Sequence, residues 1–139
     1  MTEFTISGAK PKIVVSDIDY KRLSALAAGA YDRFPDVAEE LQAEMERAKI
    51  VRAAALPSNV VQMGSTVEYR TDSAPQRQVT LVFPGEADIA QGKISVLTPI
   101  GAALIGLAAG QSIRWIARDG RRHELTVLNV ESPAASIAG

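Results

Sequence analysis

The side chains able to do chemistry are few. Asp36 and Glu39 have Asp-x-x-Glu spacing, and residues three apart share one helix face, so both carboxylates could reach one divalent cation. The same pair fits a capping box, with Asp36 as N-cap, Glu39 three residues on and Glu40 complementing the helix dipole; this second reading is preferred. Asp32, just upstream, reads as a turn residue. The single histidine, His123, stands beside an Asp119-Gly120 turn on a strand end. Its neighbour Glu124 faces the other way along a strand, so His123 is expected to be an exposed hairpin residue without a catalytic partner. Ser65 follows Gly64, but Gly-x-Ser-x-Gly is missing and a strand follows instead of a helix, which excludes a nucleophile elbow. Gly101, Gly106 and Gly110 lack the Lys-Ser/Thr ending of a phosphate-binding loop. No catalytic residue, metal site or cofactor is expected.

Composition narrows the classes further. The chain has 139 residues, 47% hydrophobic and 22% charged, with no cysteine. That is ordinary globular composition and excludes disulfide scaffolds and thiolate chemistry. Net charge is -1 from 15 basic and 16 acidic residues. Residues 1–50 carry 7 basic and 9 acidic groups and the remainder 8 and 7, so neither part is a basic arm, and strong direct nucleic-acid binding is not expected. The longest apolar stretch, Thr98–Gly110, is shorter than the ~20 residues that cross a bilayer. The N-terminus has no apolar run of signal-peptide length. A cytoplasmic monomer without membrane contact is the expectation.

The elements that must position these residues follow from periodicity. Residues 1–11 read as a loose lead-in and Ile13-Val14-Val15 as a short β-prone run. Ser16 can cap a helix over 17–28, with Asp17 and Asp19 in its first turn, a stripe of Tyr20, Leu23 and Ala27, and Gly29 as the stop. Pro35 suits the first position of a second helix over 35–49, whose Val37, Leu41, Met45 and Ala48 mark one buried face. The two helices should pair as an antiparallel hairpin, a short coiled coil, with an arm of only ~22 Å at ~1.5 Å per residue. Tyr31 and Phe34 at its tip either close the hairpin or form an exposed aromatic contact. Residues 51–59 form a linker. After it the period becomes two: Val60-Val61, Thr66–Thr71, Arg77–Phe83, Ile94–Leu97, Ser112–Ala117 and Glu124–Val130 read as strands, the last two joined by a turn at Arg118-Asp119-Gly120-Arg121. Trp115 reads as a core anchor, and Arg114, Arg118, Arg121 and Arg122 as a solvated cluster or an acidic partner's contact. Between strands, Thr98 can cap a helix beginning at Pro99 and ending at Gly110, its glycines permitting close approach to the sheet. The expected fold is α+β: a helical hairpin over 12–50, an antiparallel sheet of about five strands wrapped on one short helix over 51–131, and a tail over 132–139. Such a molecule is a binding module.

Specific motifs go further. Val61-Gln-Met-Gly-Ser-Thr-Val67 and Ile94-Ser-Val-Leu-Thr-Pro-Ile-Gly-Ala-Ala-Leu-Ile-Gly-Leu-Ala-Ala-Gly-Gln-Ser-Ile-Arg-Trp115 resemble the FKBP-like C-terminal domain of the bacterial Gre transcript-cleavage factors. The opening at 13–19, the Leu-Pro-x-x-Val-Val-x-Met element at 56–63 and the short hairpin resemble the Rnk relatives of those factors. The resemblance covers residues 12–131. It implies binding to core RNA polymerase at the rim of the secondary channel through the corner Leu97, Thr98 and Pro99, where Leu97 replaces a residue that is usually polar in Gre proteins. The hairpin tip, Asp32, Phe34, Asp36 and Glu39, imitates the spacing of the Gre acidic pair without its flanking Asn-Ala-Glu-Tyr, and the arm is short. The expectation is a non-enzymatic regulator that occupies the channel entrance and competes with longer factors without stimulating transcript cleavage. Direct regulation of nucleoside diphosphate kinase is the alternative that the Rnk relationship implies. Peptidyl-prolyl isomerase activity ranks last, since the β-rich half has only Phe83, Tyr69 and Trp115 to line an aromatic pocket.

Overall fold

A computed structural model describes residues 5–7, 11–72, 74–116 and 121–133. The predicted turn at 118–120, the Trp115 side chain and the tail beyond Pro133 lie outside the described residues.

The helical hairpin forms as its caps and periodicity direct. The Ser16 hydroxyl accepts the Asp19 N–H at 3.0 Å and starts α1, Asp17–Ala30. The helix runs through Gly29 and ends one residue later, because Phe34 and Arg33 N–H groups bond the Ala30 carbonyl at 2.8 and 3.1 Å and close the turn there. Helix α2, Pro35–Arg47, follows. Leu23, Ala27, Leu41 and Met45 are fully buried between and beneath the helices. The stripe is rotated from expectation: Asp19 is buried where Tyr20 is only half-buried, and Ala38 where Val37 is half-buried. At ~1.5 Å per residue, 13 residues make α2 an arm of ~20 Å.

The root of the hairpin is a two-stranded parallel clasp. Strands β2, Val14–Ser16, and β3, Lys49–Val51, pair Val14 with Lys49 and Ser16 with Val51. The sequence pattern assigned 49 to the helix and 51 to a linker; β3 forms instead because β2 offers it a ladder. Parallel strands need a long crossover, and the helical hairpin is that crossover.

Among the described residues the remaining strands are β1 (Thr5–Ser7), β4 (Thr66–Thr71), β5 (Ala74–Val82), β6 (Lys93–Ser95), β7 (Ser112–Ile116) and β8 (Arg122–Glu131). They form one six-stranded sheet in the order β1-β7-β8-β4-β5-β6. Two features depart from a five-stranded antiparallel sheet. The expected lead-in contains β1, which adds to the free edge of β7. The β5–β6 pair is parallel, made possible by two 3₁₀ turns in the ten-residue connection. Val60 and Val61 form no strand: Val60 makes an isolated bridge to Ala108, and the Val61 N–H bonds the Leu107 carbonyl at 2.8 Å. Tyr69, Leu81, Ile113, Leu125 and Val127 line the buried sheet face.

Helix α3 is Pro99–Leu104, half the expected length. Gly106, with φ +83°, ends it in place of Gly110. The Gly106 N–H bonds the Val61 carbonyl at 2.9 Å, and its own carbonyl accepts the Val14 N–H at 3.2 Å. A Cβ there would lie 2.8 Å from Ile13 Cβ, so the chain leaves the helix where sheet, α3 and hairpin root converge. One continuous apolar cluster joins Leu23, Leu41 and Met45 to Leu81, Leu104, Leu107 and Leu125.

Candidate docking site

The corner Leu97-Thr98-Pro99 is locked by side-chain to backbone bonds. The Ser95 hydroxyl accepts the Leu97 N–H at 3.0 Å. The Thr98 hydroxyl donates to the Ser95 carbonyl at 2.7 Å and accepts the Gly101 N–H at 3.0 Å, so Thr98 is the N-cap of α3, as its sequence position predicts. Val96, fully buried, bonds the Val82 carbonyl at 2.9 Å. Gly101 is obligatory: a Cβ would sit 2.2 Å from the Ser95 carbonyl oxygen and 2.8 Å from Val96 Cα. Leu97 and Thr98 are therefore held half-buried and Pro99 exposed on a corner with little freedom.

Beside this corner lies a groove of about 350 Å³ between the hairpin and the turns that follow β5 and β6. Leu97 and Pro84 form one wall, Leu26 and Ala30 of α1 the other, and Phe34 with Arg33 the end at the hairpin tip. Two of the sequence-predicted residues, Leu97 and Phe34, thus share one surface. Phe34 is 49% exposed, with the Arg33 guanidinium 6.0 Å from its ring centroid. Arg22, one turn before Leu26, lies 4.3 Å over the ring of Phe83, the neighbour of Pro84. Asp32, Asp36 and Glu39 do not line this groove.

The tip acids differ from the capping-box expectation. The N-cap of α2 is Phe34, which makes no side-chain cap bond, and Pro35 occupies the first turn. Asp36 is therefore already inside the helix and complements its dipole instead of capping it. Among the described residues no group of three His, Asp or Glu side chains could hold a metal ion. His123 is not an exposed hairpin residue: its side chain is 20% exposed and its Nδ1 lies 3.8 Å from the Asp72 carboxylate, in the turn just past the end of the neighbouring strand β4. Glu124 instead meets Arg114 across the β7–β8 pair at 3.2 Å.

Two buried acids escaped the sequence reading. The Asp19 carboxylate accepts the Met63 N–H at 3.0 Å. Burial raises its pKa above the ordinary carboxylate value, against the lowering influence of that bond and of Arg22. Glu44, fully buried, receives both Nε and Nη2 of Arg47 at 3.0 and 2.7 Å, and Arg47 Nη1 donates to the Pro11 carbonyl at 2.6 Å. The signal was present, since Glu44 falls between Leu41 and Met45 on the apolar face, with Arg47 three residues on.

These features define the class first: an α+β protein in which a short helical hairpin, rooted in a two-stranded parallel clasp, precedes a mostly antiparallel sheet, with a rigid corner and an apolar groove beside it. Residues 56–132 match the family "Transcription elongation factor, GreA/GreB, C-term", and residues 11–51 match "Rnk N-terminus". The chain belongs to this GreA/GreB family and carries the Rnk-type N-terminal segment. It is 37% identical to the "Regulator of nucleoside diphosphate kinase" of Escherichia coli over 88% of this chain and 91% of that one. It is also 37% identical to transcription elongation factor GreA of Thermodesulfovibrio yellowstonii, over 54% of this chain and 48% of that longer protein. The solved GreA/GreB elongation factor of Nitrosomonas europaea superposes with a TM-score of 0.69 at 38% identity, covering 88% of this chain and 99% of that one. These relatives are named as regulators and elongation factors, not as catalysts. Among the described residues, no helix is long and apolar enough to cross a membrane.

Proposed function

We propose that the protein is a transcription regulator that binds core RNA polymerase at the rim of the secondary channel through Leu97, Thr98 and Pro99, and competes there with longer Gre-type factors without stimulating transcript cleavage. The observation that carries this reading is the pairing of a rigid, capped corner with an arm of ~20 Å. The corner resists deformation on binding, so little conformational freedom is lost when a partner is engaged. The arm is too short to deliver its tip acids far beyond the surface where the sheet docks. The units at 12–50 and 51–131 divide these tasks: the sheet holds and the hairpin occupies.

The test is co-purification with core polymerase and displacement of a Gre factor, with Leu97→Asp/Pro99→Ala as the corner variant. The reading expects binding by the parent protein, loss of binding by the variant, and no stimulation of cleavage in stalled complexes. Unchanged binding by the variant removes the corner, and absence of any binding at micromolar concentration removes the polymerase. The name of the Escherichia coli relative supports a second reading, direct action on nucleoside diphosphate kinase. Titrating the protein into that kinase separates the two, and a flat activity curve rejects the second.

A further inference from the structure

The chain passes from hairpin to sheet on a segment that holds no acid. From Arg47 to Val67 there are three cations, Arg47, Lys49 and Arg52, and no Asp or Glu. Arg47 is taken by Glu44. Lys49 and Arg52 are exposed, and neither makes an ion pair among the described residues. No residue from Lys49 to Pro57 is buried. Ile50 is 45% exposed, and Ile18, in the first turn of the helix that packs beside β3, is 55% exposed.

The same segment leaves a strand edge open. The Lys49 N–H donates to the Ile13 carbonyl at 3.0 Å. In the parallel ladder, residues 49 and 51 therefore face β2, and the N–H and carbonyl of Ile50 face away from it. Neither group has a hydrogen-bond partner among the described residues. The β6 edge of the large sheet is closed by contrast: Asp88 exchanges both backbone bonds with Lys93 at 2.9 Å, and the Thr98 hydroxyl holds the Ser95 carbonyl. An open edge is a template for an added strand. A single outward residue suits an antiparallel one, because there two opposite residues exchange both bonds. The charge decides what is added. The ladder sets Asp17, exposed beside the Ser16–Val51 pair, against the two cations, so the edge stays positive and favours an acidic strand.

We propose that the free edge of β3 takes an acidic, extended segment of a protein partner as an added antiparallel strand, with aliphatic side chains over Ile50 and Ile18 and carboxylates toward Lys49 and Arg52. The contact uses none of the corner residues and does not depend on the polymerase reading.

The probe is a capped hexapeptide alternating valine and glutamate, titrated into the isotope-labelled full chain and followed by NMR. The expected result is saturable shifts at Ile18 and residues 49–52, slowed exchange of the Ile50 amide, and weakening at high salt. Lys49→Glu/Arg52→Glu and Ile50→Pro are expected to bind about tenfold more weakly or worse, and Ile50→Val and the corner variant Leu97→Asp/Pro99→Ala like the parent. Proline is tolerated where an edge N–H faces solvent, so Ile50→Pro removes the outward donor and leaves the ladder to β2; if circular dichroism shows it unfolded, the double charge variant decides alone. Absence of shifts at 49–52, parent-like binding by the charge variant, or equal binding of a valine–lysine peptide overturns the proposal. A single-stranded RNA hexamer that shifts the same residues more strongly makes the edge a polyanion contact and overturns it, as does a dimer seen by sedimentation that Ile50→Pro dissociates.

Discussion

The Asp19 carboxylate accepts the backbone N–H of Met63 at 3.0 Å across 44 residues of sequence, tying the first turn of the hairpin to the segment that enters the sheet. The bond is buried, so the N–H has no water to turn to if the acceptor is removed. Asp19→Leu is expected to cost ~1–3 kcal/mol, the usual penalty of an unsatisfied buried donor, whereas Asp19→Asn keeps an acceptor. The pKa of Asp19 is raised in the folded state, so the folded protein holds the proton more tightly than the unfolded chain. Stability is therefore lost as pH rises from the ordinary value of 3.8 through the folded value, and the loss is complete above it. Urea unfolding of parent and Asp19→Asn across pH should show the variant gaining on the parent over that window, and the gain disappearing below it. A difference that grows on acidification would contradict the burial argument.

The fully buried Glu44 and the half-buried Arg47 form a doubly bonded pair in which Arg47 also captures the Pro11 carbonyl. Removing one partner strands a charge in the interior. Arg47→Met is expected to cost ~3–5 kcal/mol, and Glu44→Leu/Arg47→Met to recover most of it, since a buried ion pair offers little net stability over apolar residues of similar volume. A double-mutant cycle by chemical denaturation measures the coupling. Additive single effects would mean that the pair does not act as a unit.

The two helical glycines should respond in opposite directions. Gly29 faces open space, so Gly29→Ala should stabilise by ~1 kcal/mol through helix propensity. Gly101→Ala places a methyl against the Ser95 carbonyl and should destabilise by ~1–3 kcal/mol or more, as overpacking does. Thermal unfolding of the two variants checks both signs at once.

Thr98 closes the corner from both sides. Thr98→Ala should lose ~1 kcal/mol, the usual worth of an N-cap, and Thr98→Ser should keep most of it. If the corner docks as proposed, Thr98→Ala also weakens polymerase binding beyond what its small stability loss explains, because an unclamped Leu97 and Pro99 must be ordered on contact. Equal affinities for the alanine and serine variants would show that corner rigidity is irrelevant.

Much of this architecture is readable from local chemistry. Ser16 and Thr98 cap the helices their positions predict, Pro35 opens the second one, and the period-two runs expected at 66–71, 77–83 and 112–117 coincide with or overlap β4, β5 and β7. These features depend on the energies of neighbouring residues. The errors share another cause. Residues Thr5–Ser7 look unstructured until β7 presents an edge more than a hundred residues away. Lys49–Val51 continues a helical pattern until β2 offers a partner. Thr98–Gly110 reads as one apolar helix, but Gly106 is drawn out of it by Val61, Val14 and Ile13.

The sequence by itself determined the helical hairpin, most strands, the capped corner and the family motifs, because caps, turns and periodicity act within a few residues. Only the tertiary structure decided that Leu97 and Phe34 share a groove, that Asp19 and Glu44 lie inside, and that His123 faces Asp72. Those relationships follow from how distant elements pack around one continuous apolar core, and a polar group buried in it, as Asp19 and Glu44 are, must bond the partner that packing brings to it.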